Sequence, residues 1–216
     1  MVGAVDRREL AKTQPVKENR WPRTDRRHAR IATVLTRRQP DLTIVLENVH
    51  DPHNISAVLR SCDGVGVLRV HLVYSLEAPP AKAFARTTSA GSAKWIEVHL
   101  HDSMPSCYAV LRAEGFSVLA TALTAQSTDL YATNLRSPMA IVFGNEMRGL
   151  SVEAIEAADG AVSIPMMGMV QSLNISVACA VVLYEALRQR RLAGDYDHPK
   201  LNDDARDAKG AEWLKR

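Results

Sequence analysis

Short apolar runs of β-forming residues alternate with stretches of helical periodicity along most of this chain. The runs Thr43–Leu46, Leu68–Tyr74, Trp95–Val98, Ser117–Thr121, Met139–Phe143 and Ala161–Ile164 each predict a strand. Helical patterns cover 52–63, 104–114, 151–158 and 172–192. The last is the clearest. It starts at polar Ser172 and Asn174 and stays apolar through Leu187. Basic Arg188, Arg190 and Arg191 fill its last turn, and Gly194 follows as the expected cap. Strands alternating with helices predict an α/β fold, a mostly parallel sheet with helices on both faces.

Upstream, Ile31, Val34 and Leu35 recur at helical spacing among Arg26, Arg27, Arg30, Arg37 and Arg38, which predicts a basic amphipathic helix closed by Pro40. The predicted organisation is a flexible basic arm (1–22), this helix (23–40), an α/β domain (41–194), and a polar tail (195–216) with a short helix near Ala211–Leu214. A chain of 216 residues has room for one such domain and its core.

Charge changes the picture. The net +3 hides a split: residues 1–40 hold eleven Lys/Arg against four Asp/Glu, and the remainder sixteen against twenty. A basic arm on a mildly acidic domain suits contact with a polyanion; the plain alternative is a solvated tail. No apolar run approaches membrane-spanning length, and Asp6, Arg7, Arg8 and Glu9 stand where an export signal would be apolar. Cys62, Cys107 and Cys179 lie far apart without metal-ligand spacing, so reduced core cysteines in a cytoplasmic protein, and no metal, are expected.

In parallel sheets, ligands sit beyond the carboxyl ends of the strands, which directs attention to post-strand loops. After the first strand comes Glu47-Asn48-Val49-His50-Asp51-Pro52-His53-Asn54 and a helix carrying Arg60. Asp51 is a suitable N-cap and Pro52 a suitable first helical residue. Asn54 and Arg60 point about 120° apart around that helix, so a joint role needs Arg60 to reach back. The alternative is a capping-region asparagine and an arginine paired with a carboxylate. A second loop, Phe143-Gly144-Asn145-Glu146-Met147-Arg148-Gly149, has glycines that permit close approach of a ligand, or serve conformation alone. A third runs from Ile164-Pro165-Met166 through Met169 to Gln171-Ser172-Leu173-Asn174. Its methionines suit an irregular apolar ligand surface; the alternative is a buried loop with Ser172 as the helix N-cap. Thr121-Ala122-Leu123 ends a strand and opens a polar connection. G-x-G-x-x-G, G-x-S-x-G, H-E-x-x-H and C-x-x-C are all absent.

In order, these segments closely resemble the SPOUT superfamily, specifically its TrmH branch of RNA ribose 2′-O-methyltransferases. The resemblance rests on Glu47–Asn54 with Arg60, on Val142–Glu146 with Gly149-Leu150, and on Ile164–Met166 with Gln171–Ser176. It extends over roughly 24–216. It implies a deep C-terminal trefoil knot, S-adenosyl-L-methionine as cofactor, and a homodimer acting on RNA. The implied cofactor residues are Thr121, Leu123, Gly144, Ile164, Met169 and Leu173. Arg60, Asn54, Glu146, Ser172 and Asn174 match active-site positions. The resemblance offers the arginine at Arg60 as proton acceptor. A guanidinium that stays protonated is better suited to gripping a phosphate, and both roles remain open. The terminal extensions and Tyr196–Pro199 look most like a branch acting on guanosine-18 of tRNA, with Arg26, Arg27, Arg30, Arg37 and Arg38 on the tRNA backbone. Another tRNA position, a ribosomal RNA, or a catalytically silent RNA-binding protein are the alternatives.

Overall fold

The structure, a computed structural model, describes residues 23–76 and 91–216. The predicted arm at 1–22 lies outside the described residues.

Helix α1 (Arg23–Leu35) precedes β1 (Leu42–Glu47), α2 (Pro52–Val65) and β2 (Arg69–Val73). After a 3-10 turn at Gly91–Trp95 come β3 (Glu97–His101), α3 (Met104–Ala113), β4 (Ser117–Thr121), β5 (Thr128–Asp129) and β6 (Met139–Phe143). The chain continues with α4 (Val152–Glu156), β7 (Gly160–Ser163), α5 (Ile175–Leu192) and α6 (Asp203–Leu214). The strands form one seven-stranded sheet in the order β3-β2-β1-β6-β4-β7-β5, with every pairing parallel. All post-strand loops therefore open on one edge.

Central β1 is buried at all six positions, as a parallel strand covered on both faces must be. Its alternate residues feed two cores. Leu42, Ile44 and Leu46 pack with α2 and α5 through Ile55, Leu59, Cys179 and Leu183. Val45 packs on the opposite face with Met104, Cys107 and Leu111 of α3 and Ala154 of α4. The expected layering of helices on both faces is present.

Local signals explain most boundaries. Asp51 caps α2 by accepting from the His53 amide, with Pro52 directly after it. Gly66, at φ 88°, ends α2, and a Cβ there would meet the Arg37 carbonyl oxygen at 2.6 Å. Gly194, at φ 79°, follows the last residues of α5, where Asp195 N–H donates back to Arg190 O.

Four expectations change. The basic helix stops at Leu35, so Arg37 and Arg38 lie beyond it. Asn174, not Ser172, caps α5, accepting from Ser176 N–H at 2.9 Å. The third predicted strand is displaced: Trp95 ends a 3-10 turn and β3 begins at Glu97. The tail is far more ordered than its polarity suggests, since α6 runs twelve residues and lies along α1. Trp213 anchors it in a small core with Ile31, Leu35 and Leu68.

Two arginines carry this packing. Arg190 is fully buried and donates to Asp41 Oδ1 at 2.6 Å, to Gln39 Oε1, and to the carbonyls of Leu135, Asp41 and Ser137. Burial alone would raise the Asp41 carboxyl, but Lys200 and Arg190 together hold it below its ordinary value. Arg38 is the second. It corrects the expectation of an exposed RNA contact, because its side chain is 0% exposed. It donates to Asp63 Oδ1 at 2.6 Å and Val67 O at 2.8 Å, beneath the Trp213 ring at 5.0 Å.

Candidate active site

The loops after β1, β4, β6 and β7 converge because their strands are neighbours in the sheet. The β1 loop begins with Asn48 at φ 51°, a left-handed conformation that asparagine tolerates better than most residues. Its amide is held from both sides: Nδ2 donates to Ser75 Oγ, and Oδ1 accepts from Ser75 N–H at 3.1 Å. Its carbonyl accepts from Asn145 Nδ2 at 2.8 Å, which ties the β1 loop to the β6 loop. Buried Glu47 adds a second tie by accepting from Ser151 N–H at 2.8 Å.

The β6 loop is a tight turn. Asn145 and Gly149 exchange both backbone hydrogen bonds, at 3.1 and 2.8 Å, while Asn145 Oδ1 accepts from Met147 N–H. A Cβ on Gly144 would lie 2.1 Å from the Gly149 carbonyl carbon, so only glycine fits there. Asn48, Asn145 and Glu47 lie within the motifs quoted above, but sequence reasoning did not single them out. Asparagine beside a strand end was the available signal.

This turn forms one wall of a cleft of about 410 Å³, within the range of small-ligand sites. Thr121, Leu123, Gly144, Ile164 and Leu173 all line it, as do Glu146 and Ser172. Phe143, Ile175 and Val182 make its floor apolar. Thr121 Oγ donates to Val142 O at 2.7 Å, which turns its hydroxyl into the sheet. Met169 departs from the expectation: it is 99% exposed and outside the lining, where Met166 stands instead.

A directed chain of amides sits at the mouth. Ser176 Oγ and N–H donate to Asn174 Oδ1, Asn174 Nδ2 donates to Asn54 Oδ1 at 3.2 Å, and Asn54 Nδ2 donates to Glu146 Oε1 at 2.5 Å. The donors run toward the Glu146 carboxylate, fixing the orientation of both amides and of the acid. Residues from three separate loops are thus brought together. Arg60 is not part of this network. It stands exposed on α2, its side chain making no hydrogen bond or ion pair among the described residues. The alternative of an arginine occupied by a neighbouring carboxylate is not met. Arg26, Arg27, Arg30 and Arg37 are also exposed, and Arg27 donates to Trp213 O.

Residues 41–184 match the SpoU rRNA Methylase family. This chain belongs to that family. Among SpoU relatives, the tRNA (guanosine(18)-2'-O)-methyltransferase of Thermus thermophilus is 48% identical, covering 90% of this chain and 98% of the relative. The Aquifex aeolicus TrmH/SpoU tRNA modifying enzyme has a solved structure that superposes with a TM-score of 0.79. It is 35% identical, over 89% of this chain and 96% of that one. The SpoU methyltransferase AviRb from Streptomyces viridochromogenes, solved in complex with the cofactor AdoMet, is 27% identical with a TM-score of 0.63, over 73% of this chain and 60% of its own.

Proposed function

We propose that this chain transfers a methyl group from S-adenosyl-L-methionine to the ribose 2′-hydroxyl of guanosine-18 in tRNA. The observation that carries the reading is the amide chain ending on Glu146, set at the mouth of a cleft with an apolar floor and polar rim. The cleft suits a nucleoside: apolar Ile164, Leu173 and Phe143 line it, and the tight turn between Asn145 and Gly149 brings main-chain groups to it. When bound, the cofactor supplies an electrophilic methyl on a sulfonium.

The chain's own residues do the rest. Asn174 orients Asn54, and Asn54 orients the Glu146 carboxylate, so that a ribose entering the mouth meets fixed donors and acceptors. Ser172 adds a hydroxyl on the same rim. Arg60, exposed and unpaired among the described residues, grips an RNA phosphate through charge-assisted hydrogen bonds and positions the hydroxyl. Arg26, Arg27, Arg30 and Arg37 hold the tRNA backbone; Arg38 is withdrawn from that set.

The enzyme acts as a homodimer. Exposed Val177 and Tyr184 on α5, with Met147, Met167, Met169 and Val170 beside the cleft, supply apolar surface that a second copy covers. The segments around β7 and α5 form the knot of the family. Among the described residues no helix is long and apolar enough to cross a membrane, and a cytoplasmic location accords with a tRNA substrate. The test is methyl transfer from labelled cofactor to unmodified tRNA transcripts with and without guanosine-18, using the parent chain and Arg60→Ala. Ribose methylation requiring both is expected. Methylation at another nucleotide would move the substrate, and cofactor binding without transfer to any RNA would leave an RNA-binding protein.

A further inference from the structure

The far edge of the sheet carries chemistry that methyl transfer does not use. Strands β2 and β3 pair in the register His71↔His99 and Val73↔His101. His71, His99 and His101 therefore share one face. Helix α3 covers that face and lowers Cys107 onto it. His71 and Cys107 are both fully buried, and Cys107 is a free thiol. The His71 ring stacks on His99 and on His101, each with centroids 5.2 Å away. Its Nδ1 lies 2.9 Å from His101 Nε2, while its Nε2 is buried with no hydrogen-bond partner among the described residues. Two ring nitrogens this close beside a buried thiol are donors of the kind a transition metal takes.

We propose that His71, His101 and Cys107 bind one divalent transition-metal ion of borderline softness, Zn²⁺ fitting best. One ring nitrogen from each histidine and the Cys107 sulfur lie within 4.8 Å of one another. Tetrahedral zinc, with bonds of about 2.0–2.3 Å, needs these atoms roughly 3.3–3.7 Å apart. The histidine pair opens by a few tenths of an ångström and the sulfur closes by about one at most, within the range of side-chain rotation. Two imidazoles and a thiolate select zinc or cobalt over magnesium or calcium, which take oxygen ligands.

Binding releases the Cys107 thiol proton to solvent. Each imidazole stays neutral, its single proton on the nitrogen turned away from the ion, and no electron moves. His101 also lines a solvent-open cleft with Tyr74, Leu100, Asp102 and Ser106, which gives the ion a way in and a nearby carboxylate. The ion fastens α3 to the sheet edge. None of its ligands lines the methyl-transfer cleft.

The test uses the full-length chain without a histidine tag, stripped with chelator and titrated with Co²⁺. One equivalent should produce the visible bands of tetrahedral cobalt and a thiolate-to-cobalt charge-transfer band, both bleached by Zn²⁺. The bands should vanish in His101→Gln and Cys107→Ala and persist in His99→Gln. Circular dichroism checks that each variant is folded. If Cys107→Ala does not fold, half-buried His101→Gln decides alone. No binding to the folded parent chain, a spectrum without the charge-transfer band, or binding that survives His101→Gln overturns the proposal.

Discussion

Replacing Arg38 with alanine separates two meanings of a basic residue. By sequence it belongs with the RNA-facing arginines, but in the structure it is an internal strut. Its guanidinium pairs with Asp63, donates to the carbonyls of Val67 and Trp95, and lies under Trp213. Truncating one partner of a buried ion pair costs about 3–5 kcal/mol. Asp63 is 30% exposed, so water recovers part of that loss and the lower end applies. Losing the contact with Trp213 adds about 1 kcal/mol, for a total of about 4 kcal/mol. In a domain of this size that lowers the melting temperature by roughly 8–16 °C. Arg26→Ala and Arg30→Ala, on exposed positions, should change stability by less than about 0.5 kcal/mol. Each should instead weaken tRNA binding and flatten its salt dependence by about one unit of slope. Thermal unfolding and a salt titration of tRNA affinity on all three variants decide the matter. If Arg38→Ala melts with the parent protein and loses tRNA affinity as Arg26→Ala does, the structural reasoning fails.

Trp213→Ala should cost about 3–5 kcal/mol and release α6 to protease. Combined with Arg38→Ala, its effect should fall short of additive, because the two side chains touch. Gly144→Ala forces the turn from Gly144 to Gly149 open, and should weaken cofactor binding at least about tenfold by calorimetry; an affinity within about twofold of the parent would contradict the turn's role. Burial, with smaller effects of His101, His99 and Arg69, lowers His71 from 6.5 to about 3. The fold therefore holds it neutral. Its contribution is complete above about pH 6.5 and declines as pH falls toward 3, since the unfolded chain takes up the proton first. Urea unfolding of chelator-treated protein at about pH 7.5 and about pH 5 should show that loss, and His71→Leu should flatten it.

The parts of the molecule legible in its sequence are those where burial follows periodicity. Strands β4 and β6 have the predicted limits, and the start of α2 follows from Asp51 and Pro52. Strand β5 is two exposed residues, Thr128 and Asp129, with no alternation to read. Helix α6 hides because one large side chain, Trp213, does most of its anchoring. Buried charge is the harder failure. Arg38 and Arg190 sit in basic stretches that look solvated, and only their distant partners Asp63 and Asp41 reveal otherwise. Most residues of the candidate site stand in motifs, whereas the connection through Asn174, Asn54 and Glu146 has no signal in the sequence. Met169 is among the cofactor residues that the family resemblance implies, but its side chain is turned outward. The grouping of His71, His101 and Cys107 was equally invisible, since no spacing rule links residues from two strands and a helix.

The chain of amides at the cleft mouth also has a consequence for the order in which the chain folds. Asn54 and Glu146 are 92 positions apart, and Asn54 and Asn174 are 120 apart. No fragment ending before Asn174 contains the arrangement, so the segment from Asn54 through Asn174 must be made before it is able to form. Closing loops of that length is slow compared with forming a helix or hairpin. A nascent or prematurely terminated chain thus carries Arg26, Arg27 and Arg30 but no assembled amide chain. The arrangement therefore forms late and as a unit, once all three of its loops are present.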